Sequence, residues 1–249
     1  MFLGVQVREA VRSSQQGLAD STAGVPLRGK IKKIAGYVYT MNLFPHLQPG
    51  KWIELNLNEE SKSASIDFTD PVAKLAWTHS LHRARGAEYS FGGFLEDRSH
   101  LWKDHYQKEQ QLFIHLGVDF AVPVGTETAL LERSRVEHIM LDKESYGGWG
   151  GRVLVQSLES LQYFIYGHLR HDIPLLVGEI YAAGTVLGTV GETQVNGGWA
   201  PHLHLQRMDE TFIRHYAQHL EAIDGYMHRG NPLLEHVLDP MPLVKFLKE

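Results

Sequence analysis

From residue 88 onward the chain is cut into short runs of β-branched and aromatic residues, with glycine-rich turns between them. "RVLVQSL" (152–158), "QYFIYGHL" (162–169) and "GTVLGTVG" (184–191) are the clearest. Runs this short, closed by turns, predict antiparallel strands and leave little room for long helices. Upstream, "KIKKIAGYVYTMNLF" (30–44) and "KWIELNLN" (51–58) alternate as strands do, and "GLADSTAG" (17–24) reads as a loop. Two helices are expected. "DPVAKLAWTHSLHRARG" (70–86) has Asp70 to cap it, Pro71 in its first turn and Gly86 to end it, and "DETFIRHYAQHLEAIDGYMH" (209–228) places apolar residues at helical spacing. The expectation is a mainly β (α+β) fold: an N-terminal extension over 1–87, then a domain of antiparallel sheets over 88–249 that ends in a helix.

Composition narrows the chemistry. A formal net charge of −5 lacks the basic footprint of a nucleic-acid-binding chain. With no cysteine in 249 residues, disulfides, thiolate metal sites and a cysteine nucleophile are all excluded. Any metal must sit on His, Asp or Glu. The N-terminal "MFLGVQVREAVRSSQQ" meets Arg8 before an apolar stretch of signal-peptide length accumulates, and no run of 18 apolar residues occurs anywhere. The location expected from the residues as written is cytoplasmic. It becomes periplasmic or extracellular if a leader has been trimmed.

"FIHLGVDFAVPVGT" (113–126) places His115 and Asp119 four apart. Gly117, Pro123 and Gly125 argue against a helix there, and Val118, Phe120, Val122 and Val124 argue for a strand. On a straight strand, positions four apart lie roughly 13 Å apart, too far to share one ion through bonds of about 2 Å. The two can meet only if the chain bends between them, and Gly117 is where a bend is cheapest. Taken alone, the pair reads more simply as a half-exposed histidine and a loop aspartate. It has company. "WAPHLHLQ" (199–206) puts His202 and His204 on one face of a strand and Leu203 and Leu205 on the other, while His168 ends an apolar run where an imidazole needs a partner.

In order, "SFGGFLEDR", "HLGVDFAVPVGT", "GGWGGRVLVQS", "YGHL", "AAGTVLGTVGE" and "GGWAPHLHLQ" resemble the lysostaphin-type (LytM-like) zinc metallopeptidases, over about residues 89–206. That resemblance implies a lysostaphin-like fold of the duplicated hybrid motif type, with an open groove between sheets. It implies Zn²⁺ held by His115, Asp119 and His204, with His168 and His202 as the catalytic histidines. It also implies cleavage of peptide bridges in bacterial cell walls, so the expected partner is a peptide or peptidoglycan. Residues 1–88 match nothing in that family, and "LERSRVEHIMLDKES" (131–145) is longer and more charged than the usual turn there.

Three ligands with one open position are the catalytic form of a zinc site. Imidazoles that do not ligate can then handle protons. Two rival classes stay open at this point: a non-catalytic binding module of the same fold, and a non-haem iron oxygenase with two His and one carboxylate. "HSLH" (His79, His82) and "HYAQH" (His215, His219) also pair histidines. In the second, Tyr216 stands where a zincin has its glutamate, and both read as helix-surface or core residues. The glycines beside Trp149 and Trp199 read as groove lining. A wall low except at Trp149 suits small side chains, Gly, Ala or D-Ala, beside the cut bond.

Overall fold

The computed structural model describes residues 41–101, 110–144 and 146–245. The loop expected at 17–24 and most of the strand expected at 30–44 lie outside them. Fifteen strands are present among the described residues. In the first half these are β1 (Met41–Asn42), β2 (Trp52–Glu54), β3 (Tyr89–Gly92), β4 (Ile114–His115), β5 (Val118–Ala121), β6 (Glu127–Ala129) and β7 (Ser134–Leu141). Then come β8 (Gly151–Ser157), β9 (Tyr163–Leu169), β10 (Ile180–Tyr181), β11 (Val186–Thr189), β12 (Leu203–Met208), β13 (Tyr226–Met227), β14 (Val237–Leu238) and β15 (Val244–Lys245). The main sheet runs β10-β7-β8-β9-β12-β5-β3-β2, with β14 continuing the edge of β12 that β5 begins. It is antiparallel apart from the β2–β3 pair. The stretch at 131–145, expected as an unusual turn, carries the eight-residue strand β7.

Alternation sorts the side chains. Leu203 and Leu205 of β12, Val118 and Phe120 of β5, and Phe164 and Tyr166 of β9 fill the core on one face. Ile165, Leu154 and Met208 point to the other face, into a second core with Leu116, Phe212 and Ile223. Asp119 and His204 lie on this second face as directly opposed partners in the β5–β12 ladder.

Helix α1 (Leu57–Glu60) is short, and α2 (Pro71–Arg85) follows its expected signals. Asp70 accepts from the N–H groups of Val72 and Ala73, and Gly86 closes the helix in the left-handed region at φ 59°. The helix expected over 209–228 is cut short. After its Asp209 cap, α3 (Glu210–His215) ends at Tyr216. The reason is tertiary. The buried Arg152 guanidinium donates to the carbonyls of Leu220 (2.8 Å) and Ile223 (2.6 Å), and the chain then pairs as β13 with β4. An anchored cation and a ladder here override periodicity. Among the described residues, no helix is long and apolar enough to cross a membrane.

Candidate active site

The chain bends at Gly117, between β4 and β5, and brings His115 and Asp119 onto one point. A side chain at 117 would not fit, because its Cβ would lie 2.6 Å from His204 Nε2 and 2.6 Å from the Leu205 carbonyl oxygen. His115 Nε2 lies 3.0 Å from His204 Nδ1 and 3.2 Å from Asp119 Oδ1, and His204 Nδ1 lies 3.1 Å from Asp119 Oδ1. These are the three residues among the described ones that could together hold a metal ion.

The hydrogen bonds behind that triangle fix which atoms face it. His115 Nδ1 donates to the Gly93 carbonyl (2.8 Å) and His204 Nε2 donates to Gln206 Oε1 (3.3 Å), so the inward nitrogen of each ring carries a lone pair. Asp119 Oδ2 accepts from Arg98 Nη1 at 2.8 Å, leaving Oδ1 to face inward. With these tautomers three acceptors converge, an arrangement that a cation would satisfy. A tetrahedral zinc with bonds of about 2.0–2.1 Å separates its ligands by roughly 3.3 Å. The observed edges fit that geometry.

Gly93 is constrained by the same contacts. It sits at φ 99°, and a Cβ on it would lie 2.1 Å from Arg98 Nη2 and 2.9 Å from His115 Nδ1. Arg98 is fully buried, with Nε donating to Glu96 at 2.8 Å and Nη1 also donating to the Tyr226 hydroxyl at 3.0 Å.

His202 precedes β12 and turns its Nε2 toward Asp119 Oδ1 at 3.6 Å, while its Nδ1 donates to the Ala200 carbonyl at 2.7 Å. His168 reaches the cleft by a different route. With strict alternation it would follow Phe164 and Tyr166 into the first core. Instead the β8–β9 register slips between Gly151 and Val153, and His168 takes φ 63°. The bulge turns its ring into the cleft, 4.4 Å from that of His202. His168 Nδ1 then donates to the Asn196 carbonyl at 2.9 Å, and Trp149 stacks on the ring at 5.7 Å.

Electrostatics follow from burial. Burial, reinforced by the Arg98 charge, lowers His115 to about 4. Burial lowers His202 to about 4 as well, with Asp119 opposing, and holds His168 well below the usual histidine value. Burial alone would raise Asp119, but the His115, Arg98 and His202 charges outweigh it and hold the carboxyl well below its usual range. Around a small free volume of about 30 Å³, these five residues share the cleft with Trp149 and Trp199. Lys74, Arg98, Asp224 and Tyr226 line it too, and spacing in the sequence flagged none of them. Burial lowers the Lys74 ammonium to about 8, against the pull of Asp119.

The decoy histidines stay outside this cleft. His82 is buried against Ser90 Oγ at 2.9 Å, while His215 ends α3 and His219 lies beyond it.

Residues 113–215 match the model of peptidase family M23. Lysostaphin of Staphylococcus staphylolyticus is 31% identical over 106 residues, which are 42% of this chain and 21% of that protein. The glycyl-glycine endopeptidase ALE-1 of Staphylococcus capitis is 33% identical over 104 residues, 42% of this chain and 27% of the other. The chain thus spans only about a fifth to a quarter of the curated relatives it matches. The solved catalytic domain of lysostaphin from Staphylococcus simulans aligns at 22% identity and a TM-score of 0.37, covering 52% of this chain and 78% of that one.

Proposed function

We propose that this chain, whose residues 113–215 match peptidase family M23, is a zinc-dependent peptide-bond hydrolase. Its assigned role is that of an endopeptidase on peptidoglycan cross-bridges or related peptides rich in glycine or D-alanine. The observation that carries the reading is the inward-facing triangle of His115 Nε2, Asp119 Oδ1 and His204 Nδ1, whose outer atoms are all engaged elsewhere. Those three residues would hold the zinc. When bound, zinc supplies a water whose pKa is brought to about 7 and a Lewis acid for the scissile carbonyl.

The rest falls to the chain. A histidine whose Nδ1–H is held by a carbonyl has only Nε2 with which to take or return a proton, and both His202 and His168 are in that state. His202 Nε2, the nearer to Asp119, takes the proton of the attacking water and returns it to the departing nitrogen. His168, braced by Trp149 and by its own strained backbone, offers the second Nε2 to charge developing on the other side of the carbonyl. A binding module would have no use for two such nitrogens, and neither would an iron site of two His and one carboxylate. The small free volume beside Trp149 favours small side chains around the bond.

The test is elemental analysis of the purified protein, followed by incubation with peptidoglycan and a panel of glycine- and D-alanine-containing peptides read by mass spectrometry. Zinc near one per chain and cuts beside Gly or D-Ala are expected. A fully zinc-loaded protein that cuts none of these substrates overturns the reading.

A further inference from the structure

Three charged side chains in the cleft, Lys74, Arg98 and Asp224, belong neither to the ligand triangle nor to the histidine pair, and Arg98 and Asp224 are hydrogen-bonded. Lys74 stands near the N-terminal end of α2, outside the segment that matches the family, yet its side chain lines the same cleft as all five histidine and aspartate residues of the site. Among the described residues its ammonium makes no ion pair and no hydrogen bond, and the nearby anions are engaged elsewhere. Asp119 gives one oxygen to Arg98 and turns the other to the triangle. Glu96 is held by Arg98 and by the Asn58 N–H, and Asp224 accepts the Tyr226 N–H at 3.0 Å. A half-buried ammonium without a counter-ion is under-compensated and open to an anion that enters the cleft. A dication on the triangle would claim Asp119 and add more positive charge to the same small space. What enters this cleft is therefore best matched if it carries negative charge beside the peptide bond.

We propose that Lys74 determines specificity by receiving a carboxylate of the substrate next to the scissile bond. The inference rests on the peptidase reading and deepens it, adding an anionic feature to the small residues expected there. The ammonium is a compact charge with three donors on a flexible stem, suited to a carboxylate at slightly variable distance. That carboxylate has two possible sources, the free C-terminus of a short peptide or an acidic side chain within a longer one.

The zinc-loaded protein is assayed at pH 7 on acetylated oligoglycine in three forms: the free acid, the C-terminal amide, and the amide with glutamate replacing the last glycine. The free acid, the glutamate form or both should be cut with kcat/KM about tenfold above the plain amide, carried mainly by KM. Which of them gains identifies the source of the carboxylate. In Lys74→Met the advantage of whichever form gains over the plain amide should fall to about one with zinc content unchanged, and Lys74→Arg should keep the preference. Equal rates on all three substrates in the native protein, or a preference that survives Lys74→Met, would overturn the proposal.

If nothing is cut, the peptidase reading fails, and binding decides this inference separately. Acetyl-glycylglycine and its amide are titrated calorimetrically into zinc-loaded native and Lys74→Met protein. Tighter binding of the acid that vanishes in the variant supports Lys74. An acid-over-amide preference of the same size in both proteins refutes it.

Discussion

The two halves of the cleft are held in different ways. The half on β4 and β5 leans on residues outside the family-matched segment: the Gly93 carbonyl orients His115, and Arg98, itself gripped by Glu96 and touching Tyr226, orients Asp119. The half on β9 and β12 is tied from within. His168 is set by Asn196, His202 by Ala200 and His204 by Gln206, none more than 28 residues away in sequence. All five proposed ligand and proton-handling residues lie in the matched segment, but two of the five groups that aim them, Gly93 and Arg98, do not. Ligand identity and ligand aim are thus separable properties of this site, and the flanking residues supply a share of the second.

The bluntest way to break this contrast is to remove a ligand from either half. Asp119→Ala and His204→Ala should each lose essentially all bound zinc in elemental analysis, since two ligands hold it far more weakly than three. Full occupancy in either variant would dismiss the triangle as the metal site.

Next in size are the histidines that do not ligate. His202→Ala and His168→Ala should retain zinc and fold, with kcat reduced about 10²- to 10⁴-fold. Zinc lost from His168→Ala would place that residue among the ligands instead.

The contrast itself is sharpened by Arg98→Met, which touches only the externally held half. Competition against a chelator should show zinc affinity lowered about 10- to 100-fold, in keeping with the loss of an orienting partner. Native affinity would mean that Asp119 is aimed without outside help.

The smallest effect is on stability. His115 and His202 sit at about 4 in the folded chain against an ordinary 6.5, so between those values the unfolded state binds more protons. The metal-free protein should therefore lose stability as pH falls from about 6.5 to about 4, and the lowered Asp119 extends the loss further in the same direction. Urea melts of the apo-protein that stay level across that window would contradict the burial of these rings.

What could be read from the sequence was what chemistry writes locally. Histidine and aspartate four apart around a glycine, two histidines two apart on a strand, and an aspartate–proline helix start closed by glycine each carry their own signal over a few residues. Arg98, Lys74 and Tyr226 carry none. Arg98 and Tyr226 take their meaning from distant partners, Asp119 21 residues from Arg98 and Arg98 itself 128 residues from Tyr226, and Lys74 takes its meaning only from the cleft it lines. The same holds for the failure at 209–228, where helical spacing is real but Arg152 captures carbonyls 68 and 71 residues ahead of it. His168 was flagged as an imidazole needing a partner, but the bulge that delivers it was invisible, because a plain reading of "YFIYGHL" as a strand gives the opposite face.

That bulge makes the site depend on counting. A strand assigns its side chains to two faces by odd and even position, and between Tyr166 and Leu169, both in the first core, there are two residues where alternation would place one. The extra residue is what lets a polar ring leave the interior while the apolar residues on either side stay in it. Removing Gly167 would put the strand back in step and move the histidine into its place opposite His204, where a Cβ would lie 2.6 Å from the Trp149 ring. Chain length at a single point, as much as the identity of any residue, decides where on the cleft wall the second histidine stands. A one-residue deletion would therefore misplace one ring of a site whose whole set of side chains is still encoded.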